Sequence, residues 1–199
     1  MILQGKCASC KTKISIRYPL VELLTGILSA IVVYKFGWSI QSACGLLLTW
    51  VLMAVSFIDF DHKILPDDFV LPILWLGLAL SLIPVFASPT DAIIGAIAGY
   101  LTFWIVFQAF LLFTGKEGMG HGDFKLMSLL GAWFGWIYLP QIVMISTIFG
   151  SIVGISLIVM KKNDGEMTIP FGPYIATAGW IAMLWGDEIN HTYLRLSGL

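Results

Sequence analysis

The stretch IQSACGLLLTWVLMAVSFI, Ile40–Ile58, contains no charged residue. A run of about 20 apolar residues is long enough to cross a hydrocarbon core of about 30 Å as an α-helix. Similar runs recur on both sides of it, separated by short polar segments. The segment Leu126–Tyr138 is short, so it is tilted, re-entrant or longer than its apolar part. The predicted spans are Pro19–Gly37, Ile40–Ile58, Phe69–Phe86, Ala92–Phe113, Leu126–Tyr138, Ile142–Met160 and Phe171–Trp185.

The composition of the whole chain supports a membrane protein. Hydrophobic residues make up 58% of the sequence and charged residues 12%, whereas about a quarter of the residues in a soluble domain are charged. The lipid bilayer is therefore the predicted solvent for most of the chain. The two-residue alternation of a membrane barrel is absent, so the spans are predicted to be helices. We predict an all-α, polytopic bundle of about seven transmembrane helices. No basic stripe indicates nucleic-acid binding.

The distribution of positive charge predicts the topology. With seven spans, nine of the eleven Lys and Arg residues fall in segments 1–18, 59–68, 114–125 and 161–170, which share one side. Only Lys35 and Arg195 lie on the other side. Positive charge concentrates in cytoplasmic loops, so the first side is predicted to be cytoplasmic.

Small residues in two of the predicted spans favour close helix packing. The fourth span contains Gly95 and Gly99, and the sixth contains Gly150 and Gly154. Glycines four residues apart let two helix backbones approach each other closely. This pattern is common in membrane helices and indicates no particular function.

Two aspartates stand at the ends of spans on the predicted cytoplasmic side. Asp59 directly follows the second span, and Asp123 precedes the fifth. One membrane hairpin separates them, so both emerge on the same face and at a similar depth. An ionisable group at membrane depth is costly and points to a function.

Paired carboxylates offer one specific chemistry. When two carboxyl groups share a proton, one acts as a base toward water while the other donates a proton, without a metal or a covalent intermediate. Gly120 and Gly122 lack a Cβ, so the backbone before Asp123 can bend sharply and approach a substrate strand. Other readings remain open on spacing alone. Asp59 is also consistent with a loop carboxylate beside Lys63, Asp123 with a helix cap, and both with the ion-binding acids of a transporter.

An ordered set of motifs resembles a known family. The motifs are ISIRYPLVE (14–22), IDFDHKILPD (58–67), GHGDFK (120–125), GAW (131–133) and IPFGPY (169–174). The set resembles the type IV prepilin peptidases, which are bifunctional leader peptidase/N-methyltransferases among the Gly-x-Gly-Asp membrane aspartic proteases. A lone Gly-x-Gly-Asp would be weak, whereas the ordered set covers nearly the whole chain from Gly5.

The resemblance implies which residues act and on what. It implies Asp59 and Asp123 as the catalytic carboxylates, with Asp61, Gly120 and Gly122 in supporting positions. It implies that the substrates are type IV prepilins or pseudopilins, cut after a glycine that precedes their hydrophobic helix. Proteolysis would need no cofactor, and the site would face the cytoplasm from the bacterial inner membrane.

The N-terminal region departs from the family pattern. We predict that residues 1–18 are a cytoplasmic remnant with one Cys-x-x-Cys, Cys7 and Cys10, and that residues 19–199 form the membrane-embedded peptidase domain. The segment lacks the features of a removable signal peptide. Relatives have two such Cys pairs, a set suited to zinc, whereas one pair gives only half of a tetrahedral site. Gly5 and Lys6 match a pair associated with methyl transfer from S-adenosylmethionine, but the rest of that region is absent, so the resemblance supports methyl transfer only in part.

Two rival functions follow from the same residues. One is a proton-coupled transporter that binds its ion at Asp59 and Asp123, and the other is a catalytically idle relative. The sequence leaves open which prepilin is processed, the oligomeric state, and whether the two aspartates touch without substrate.

Overall fold

The computed structural model describes residues 15–115, 118–160 and 170–197, and all regular structure within these ranges is helical. The predicted all-α architecture is confirmed, and the described residues contain seven α-helices, which equals the number of predicted spans. In the described ranges the α-helices are α1 (Arg17–Phe36), α2 (Ile40–His62), α3 (Asp67–Leu80), α4 (Pro89–Thr114), α5 (His121–Phe134), α6 (Leu139–Val159) and α7 (Gly172–Ser197), with a 3₁₀ turn at Trp136–Tyr138.

Four helical segments within the described part of the chain are long and apolar enough to cross a membrane. They are Arg17–Phe36, Ile40–His62, Pro89–Thr114 and Trp136–Leu157. The remaining helices differ in length and polarity. Helices α3 and α5 have 14 residues each, which at 1.5 Å per residue is about 21 Å, shorter than a hydrocarbon core. Helix α7 has 26 residues, but its C-terminal part is polar.

Helix α2 continues past the predicted boundary at Ile58. The backbone N–H of Lys63 still donates to the Asp59 carbonyl at 2.8 Å. The helix ends because Lys63 adopts a positive φ of 56°, the left-handed conformation that commonly closes helices. Asp59 therefore lies on the last turn of α2 rather than directly after it, where the predicted span ends.

Helices α3 and α7 also end at residues other than the predicted ends of their spans. Helix α3 ends at Leu80 instead of Phe86, because Pro84 has no N–H to continue the helix. Helix α7 runs to Ser197 instead of Trp185. Its last turns are polar, and apolar patterning detects only the part of a helix that is hydrophobic.

The described part of the chain divides into two compact units, one ending at Trp50 and one beginning at Val51, and α2 contributes to both. In the first unit, the Trp50 indole N–H on α2 donates to the Ser29 hydroxyl on α1 at 3.0 Å. The second unit contains both candidate aspartates and is built around α5. Helix α5 packs against α3, α4 and α7, and its residues from Leu126 to Phe134 are all buried.

The crossing of α4 and α5 depends on the predicted small residues. A Cβ on Gly95 would collide with the Gly131 carbonyl oxygen, and a Cβ on Gly131 would collide with the Gly95 carbonyl oxygen. One turn further along α4, a Cβ on Gly99 would lie 2.6 Å from the Met127 oxygen. The Ser128 hydroxyl donates to the Ala96 carbonyl at 2.8 Å across the same contact. The predicted close approach at Gly95 and Gly99 is confirmed.

We expect Gly131→Ala to lower the free energy of unfolding by about 1–3 kcal/mol, the usual cost of overpacking. The atom it would meet belongs to a helix backbone and cannot rotate away as a side chain does. The matched control is Gly26→Ala, where a Cβ meets nothing within 4 Å. Thermal unfolding in detergent measures both variants. Equal unfolding temperatures for the two would contradict the tight crossing.

Candidate active site

Asp59 is a buried carboxylate held by the start of another helix. Its side chain lies on the last turn of α2, and the residue is 5% exposed. The backbone N–H of Gly172, the first residue of α7, donates to Asp59 Oδ2 at 3.0 Å. The free N–H groups at a helix N-terminus carry partial positive charge and favour an anion. The contact therefore stabilises Asp59 in its ionised form.

The close contact with Asp59 requires a residue without a Cβ at position 172, which is glycine. A Cβ at Gly172 would lie 2.6 Å from Asp59 Oδ2 and 3.2 Å from Leu65 Cδ2, so any larger residue would displace the carboxylate. Pro173 follows it in the first turn of α7, where a proline fits because its missing N–H is not needed. The sequence motif IPFGPY contained Gly172, but sequence reasoning gave it no role. The available signal was the Gly-Pro pair at the start of an apolar helix.

Asp123 is a second buried carboxylate, in the first turn of α5. It is also 5% exposed, and it accepts a hydrogen bond from the backbone N–H of Gly120. Gly120 is the N-cap residue of α5 and supplies no side-chain cap. A carboxylate three residues into a helix that reaches back to the N-cap N–H is half of a capping box. Asp123 therefore helps to cap α5, as one of the alternatives predicted.

A capping role alone does not explain the raised pKa of Asp123. The pKa of Asp123 is raised to about 7, first by burial and then by the nearby charge of Asp59, while the hydrogen bond from Gly120 lowers it. A carboxylate that served only as a cap would be favoured in its charged form. The two aspartates lie close enough for the charge of one to oppose ionisation of the other.

Leu65 joins the two halves of the site. A Cβ on Gly122 would lie 2.7 Å from Leu65 Cβ, and Leu65 Cδ2 lies against Gly172. The side chain is therefore in contact with the starts of both α5 and α7. The supporting position predicted for Gly122 is a close approach to Leu65.

The glycines before α5 make no left-handed turn. The positive-φ glycines in the described ranges are Gly37, Gly115 and Gly135, so the sharp bend falls at Gly115, which ends α4 with φ 67°. Gly120 has φ −75°, and a Cβ there would meet only Asp123 Oδ2 at 3.5 Å. Gly120 acts through its backbone N–H, which a residue other than glycine also carries.

An ion pair connects α5, which carries Asp123, to α3. Lys125 Nζ lies 2.7 Å from both carboxylate oxygens of Asp67, and this contact ties the first turn of α5 to the first turn of α3. The side chains are 30% and 50% exposed. Exposed pairs contribute at most about 1 kcal/mol, so the pair aligns the helices more than it stabilises them.

We expect Lys125→Met to reduce activity at the site no more than about fivefold, the rate equivalent of an exposed ion pair. The double variant Lys125→Met/Asp67→Asn should lose no more than either single variant, because both remove the same contact. A double-mutant cycle on kcat/KM measures this. Independent, multiplying losses would show that the two residues act separately.

Of the remaining predicted residues, the structure describes only Asp61. Asp61 is exposed on α2, two residues after Asp59, and side chains two residues apart on a helix do not face each other. Gly5, Lys6, Cys7 and Cys10 lie outside the described residues. In the part of the chain that is described, no group of three or more His, Cys, Asp or Glu residues could hold a metal ion.

A helical membrane bundle that buries two interacting carboxylates at helix ends belongs to the class of membrane proteins with a paired-acid site. Aspartic proteases and proton-coupled transporters are both found in this class. The comparison with known proteins separates them. Residues 46–155 match the type IV leader peptidase family, and residues 1–36 match the bacterial peptidase A24 N-terminal domain. The chain belongs to the type IV leader peptidase family.

Full-length similarity supports this membership. The chain is 52% identical over 199 residues to a prepilin leader peptidase/N-methyltransferase of Stutzerimonas stutzeri, covering 100% of this chain and 69% of that protein. It is 53% identical over 198 residues to the protein of that name from Pseudomonas aeruginosa, covering 100% and 68%. For the one from Aeromonas hydrophila, the identity is 53% over 194 residues, covering 96% and 66%. The chain thus spans about two thirds of the length of these relatives. No solved structure matches it at a significant level.

Proposed function

We propose that this protein is a membrane aspartic endopeptidase that removes the basic leader of type IV prepilins or pseudopilins. The observation that carries the proposal is the pair of buried carboxylates, Asp59 and Asp123, whose charges interact at the ends of α2 and α5. Both lie within the residues that match the type IV leader peptidase family. The relatives that cover this chain bear the name prepilin leader peptidase.

The pair supplies the two functions that peptide hydrolysis requires. One carboxylate accepts a proton from water as the water oxygen bonds to the scissile carbonyl carbon, and the other donates its proton to the carbonyl oxygen. The tetrahedral intermediate then collapses, and the carbon–nitrogen bond breaks. The proton taken from water passes to the leaving nitrogen, and the donor carboxyl recovers its proton from the intermediate. The products are a carboxylic acid and an amine, with no metal and no covalent enzyme intermediate.

The proposed location follows from charge and depth. The positive-inside rule supports a bacterial inner membrane protein in which the ends of α2 and α5 near the two aspartates face the cytoplasm. A prepilin has its basic leader on that side and its hydrophobic helix in the bilayer. Its scissile bond, after a glycine, would then lie at the depth of the two aspartates. A buried site also excludes bulk water, which strengthens the electrostatic interactions within it.

The relatives' name includes a second activity, N-methyl transfer. The residues that the sequence associates with it, Gly5 and Lys6, and the zinc half-site at Cys7 and Cys10 lie outside the described residues. We therefore propose the peptidase as the activity that the described residues support. S-adenosylmethionine would be the methyl donor if transfer occurs, and labelled donor added to the cleavage reaction would report it on the product.

Cleavage in detergent tests the proposed function against its rivals. The purified protein is incubated with a prepilin that carries its leader, and mass spectrometry locates the new N-terminus. We expect cleavage after the glycine, and none of a matched substrate in which a bulky residue replaces that glycine. A proton-coupled transporter or an idle relative would leave both substrates intact, and that result would overturn the proposal.

A further inference from the structure

The two carboxylates have unequal surroundings. Asp59 Oδ2 receives the N–H of Gly172, at the positive end of a 26-residue helix. Asp123, which is equally buried, receives the N–H of Gly120 from its own helix start. One aspartate is thus held by a second helix, whereas the other is capped only locally.

We infer that Gly172 is a positioning residue whose backbone N–H keeps Asp59 ionised as the base of the pair, so that the shared proton resides on Asp123. This inference rests on the proposed function, which leaves open which carboxylate is the base. It assigns the first proton transfer: Asp59 takes the proton from water, and Asp123 protonates the carbonyl oxygen of the scissile bond. Atoms and charges balance as in the general scheme.

Other charged and titratable groups lie on the elements around the pair. Lys125 and Asp67 bind each other at 2.7 Å, so the cation nearest to Asp123 in sequence is already paired with an anion. The remaining titratable groups on the elements around the pair are Asp61, His62 and Lys63 at the end of α2, Asp68 on α3, Tyr100 on α4, His121 on α5 and Tyr174 on α7. Each aspartate accepts one backbone N–H, and the two differ in its source, because the N–H on Asp59 comes from Gly172 on another helix.

The variant Gly172→Ala tests the positioning role. Its Cβ would lie 2.6 Å from Asp59 Oδ2 and would push the carboxylate off the N–H. Loss of a hydrogen bond to the charged form makes a carboxylate harder to ionise. We expect the acidic limb of the kcat/KM profile to move up by roughly one pH unit, with a smaller change in the alkaline limb. An acidic limb that stays in place in an active variant would overturn the inference.

Gly179→Ala is the matched control on the same helix. Its Cβ would lie 2.5 Å from Leu130 Cδ2, the end of a flexible side chain, and would leave the hydrogen bond to Asp59 intact. A purely structural effect on α7 would lower the rates of both glycine variants and move neither pH limb. Only the positioning role moves the acidic limb in Gly172→Ala and leaves it in place in Gly179→Ala.

A second measurement needs neither cleavage nor a folded Gly172 variant. The wild-type protein is labelled with ¹³C at the Asp carboxyl carbons and titrated by NMR, with Asp59→Asn and Asp123→Asn used to assign the signals. We expect the Asp59 carboxyl to lose its proton at lower pH than the Asp123 carboxyl. The opposite order would overturn the inference even if the wild type cleaves prepilin. Absence of cleavage with the expected order would instead overturn only the proposed function.

Discussion

Asp59→Asn and Asp123→Asn should each reduce leader cleavage by roughly 10³–10⁴-fold. A positioned general acid or base contributes up to about 10⁴-fold, and an amide can neither accept the proton from water nor donate one as a carboxyl group does. The double variant should be no slower than about the worse single variant, because residues that act as one unit are not additive. Initial rates of prepilin cleavage at pH 6 measure all three variants.

The matched control is Asp91→Asn, the same change in the first turn of α4, beside the C-terminal end of α5. Asp91 lies against Gly135, just past the end of α5, and accepts a hydrogen bond from the Trp136 indole at 3.1 Å. This variant should retain cleavage within a few-fold. Wild-type rates in either of the two site variants would end the assignment of that carboxylate.

Misfolding would also lower the cleavage rate of Asp123→Asn. The pH dependence of the unfolding temperature distinguishes misfolding from the loss of a catalytic group. The folded-state pKa of Asp123, about 7, lies above its ordinary value of 3.8, so the folded protein binds this proton more tightly than the unfolded chain does. Its contribution to stability is complete below pH 4 and is lost as pH rises to about 7. The Asn side chain does not titrate, so Asp123→Asn does not lose stability in this way as pH rises. Its unfolding temperature relative to wild type should therefore rise between pH 4 and pH 8, while its activity stays low at every pH.

The sequence predicted the helical membrane class because lipid leaves few choices. An apolar run of this length must satisfy its own backbone, so Ile40–Ile58 could be assigned as a helix without any tertiary information. The ends of helices were less predictable, because polar residues continue α7 after its apolar part ends. The central, buried position of α5 was also not predicted from the sequence. Its burial comes from enclosure by α3, α4 and α7, which local hydropathy does not record.

The site was predicted in part for a similar reason. Asp59 and Asp123 stood out because an ionisable group at membrane depth is rare and costly. Gly172 did not, because its role depends on a contact with a residue 113 positions away. The pairing of Lys125 with Asp67 depends equally on how two helix starts meet in space. Spacing along the chain indicates the face of the membrane on which a residue lies, but not which backbone N–H will meet which carboxylate.

Cleavage should fall by about tenfold for each pH unit above 7, and by about 100-fold at pH 9 relative to its plateau. The physical reason is the raised pKa of Asp123, about 7. Below this value the pair holds its proton and can protonate the scissile carbonyl, whereas above it both carboxylates are ionised and the acid is missing. The apparent value belongs to the coupled pair, so it is measured as a limb of the kcat/KM profile rather than assigned from rate data alone.

An acetylated substrate separates the titration of the enzyme from that of the leader. The lysines of a basic leader titrate near pH 10.4, but its free α-amino group titrates near pH 8, so the same decrease is expected for a prepilin whose N-terminus is acetylated. Enzyme incubated at pH 9 and returned to pH 6 should recover its full rate, which separates loss of a proton from loss of the fold. A rate that stays constant from pH 6 to pH 9 would show that the reaction does not use the proton on Asp123. The carboxylate pair would then lack a donor, and hydrolysis would need an acid from elsewhere in the chain.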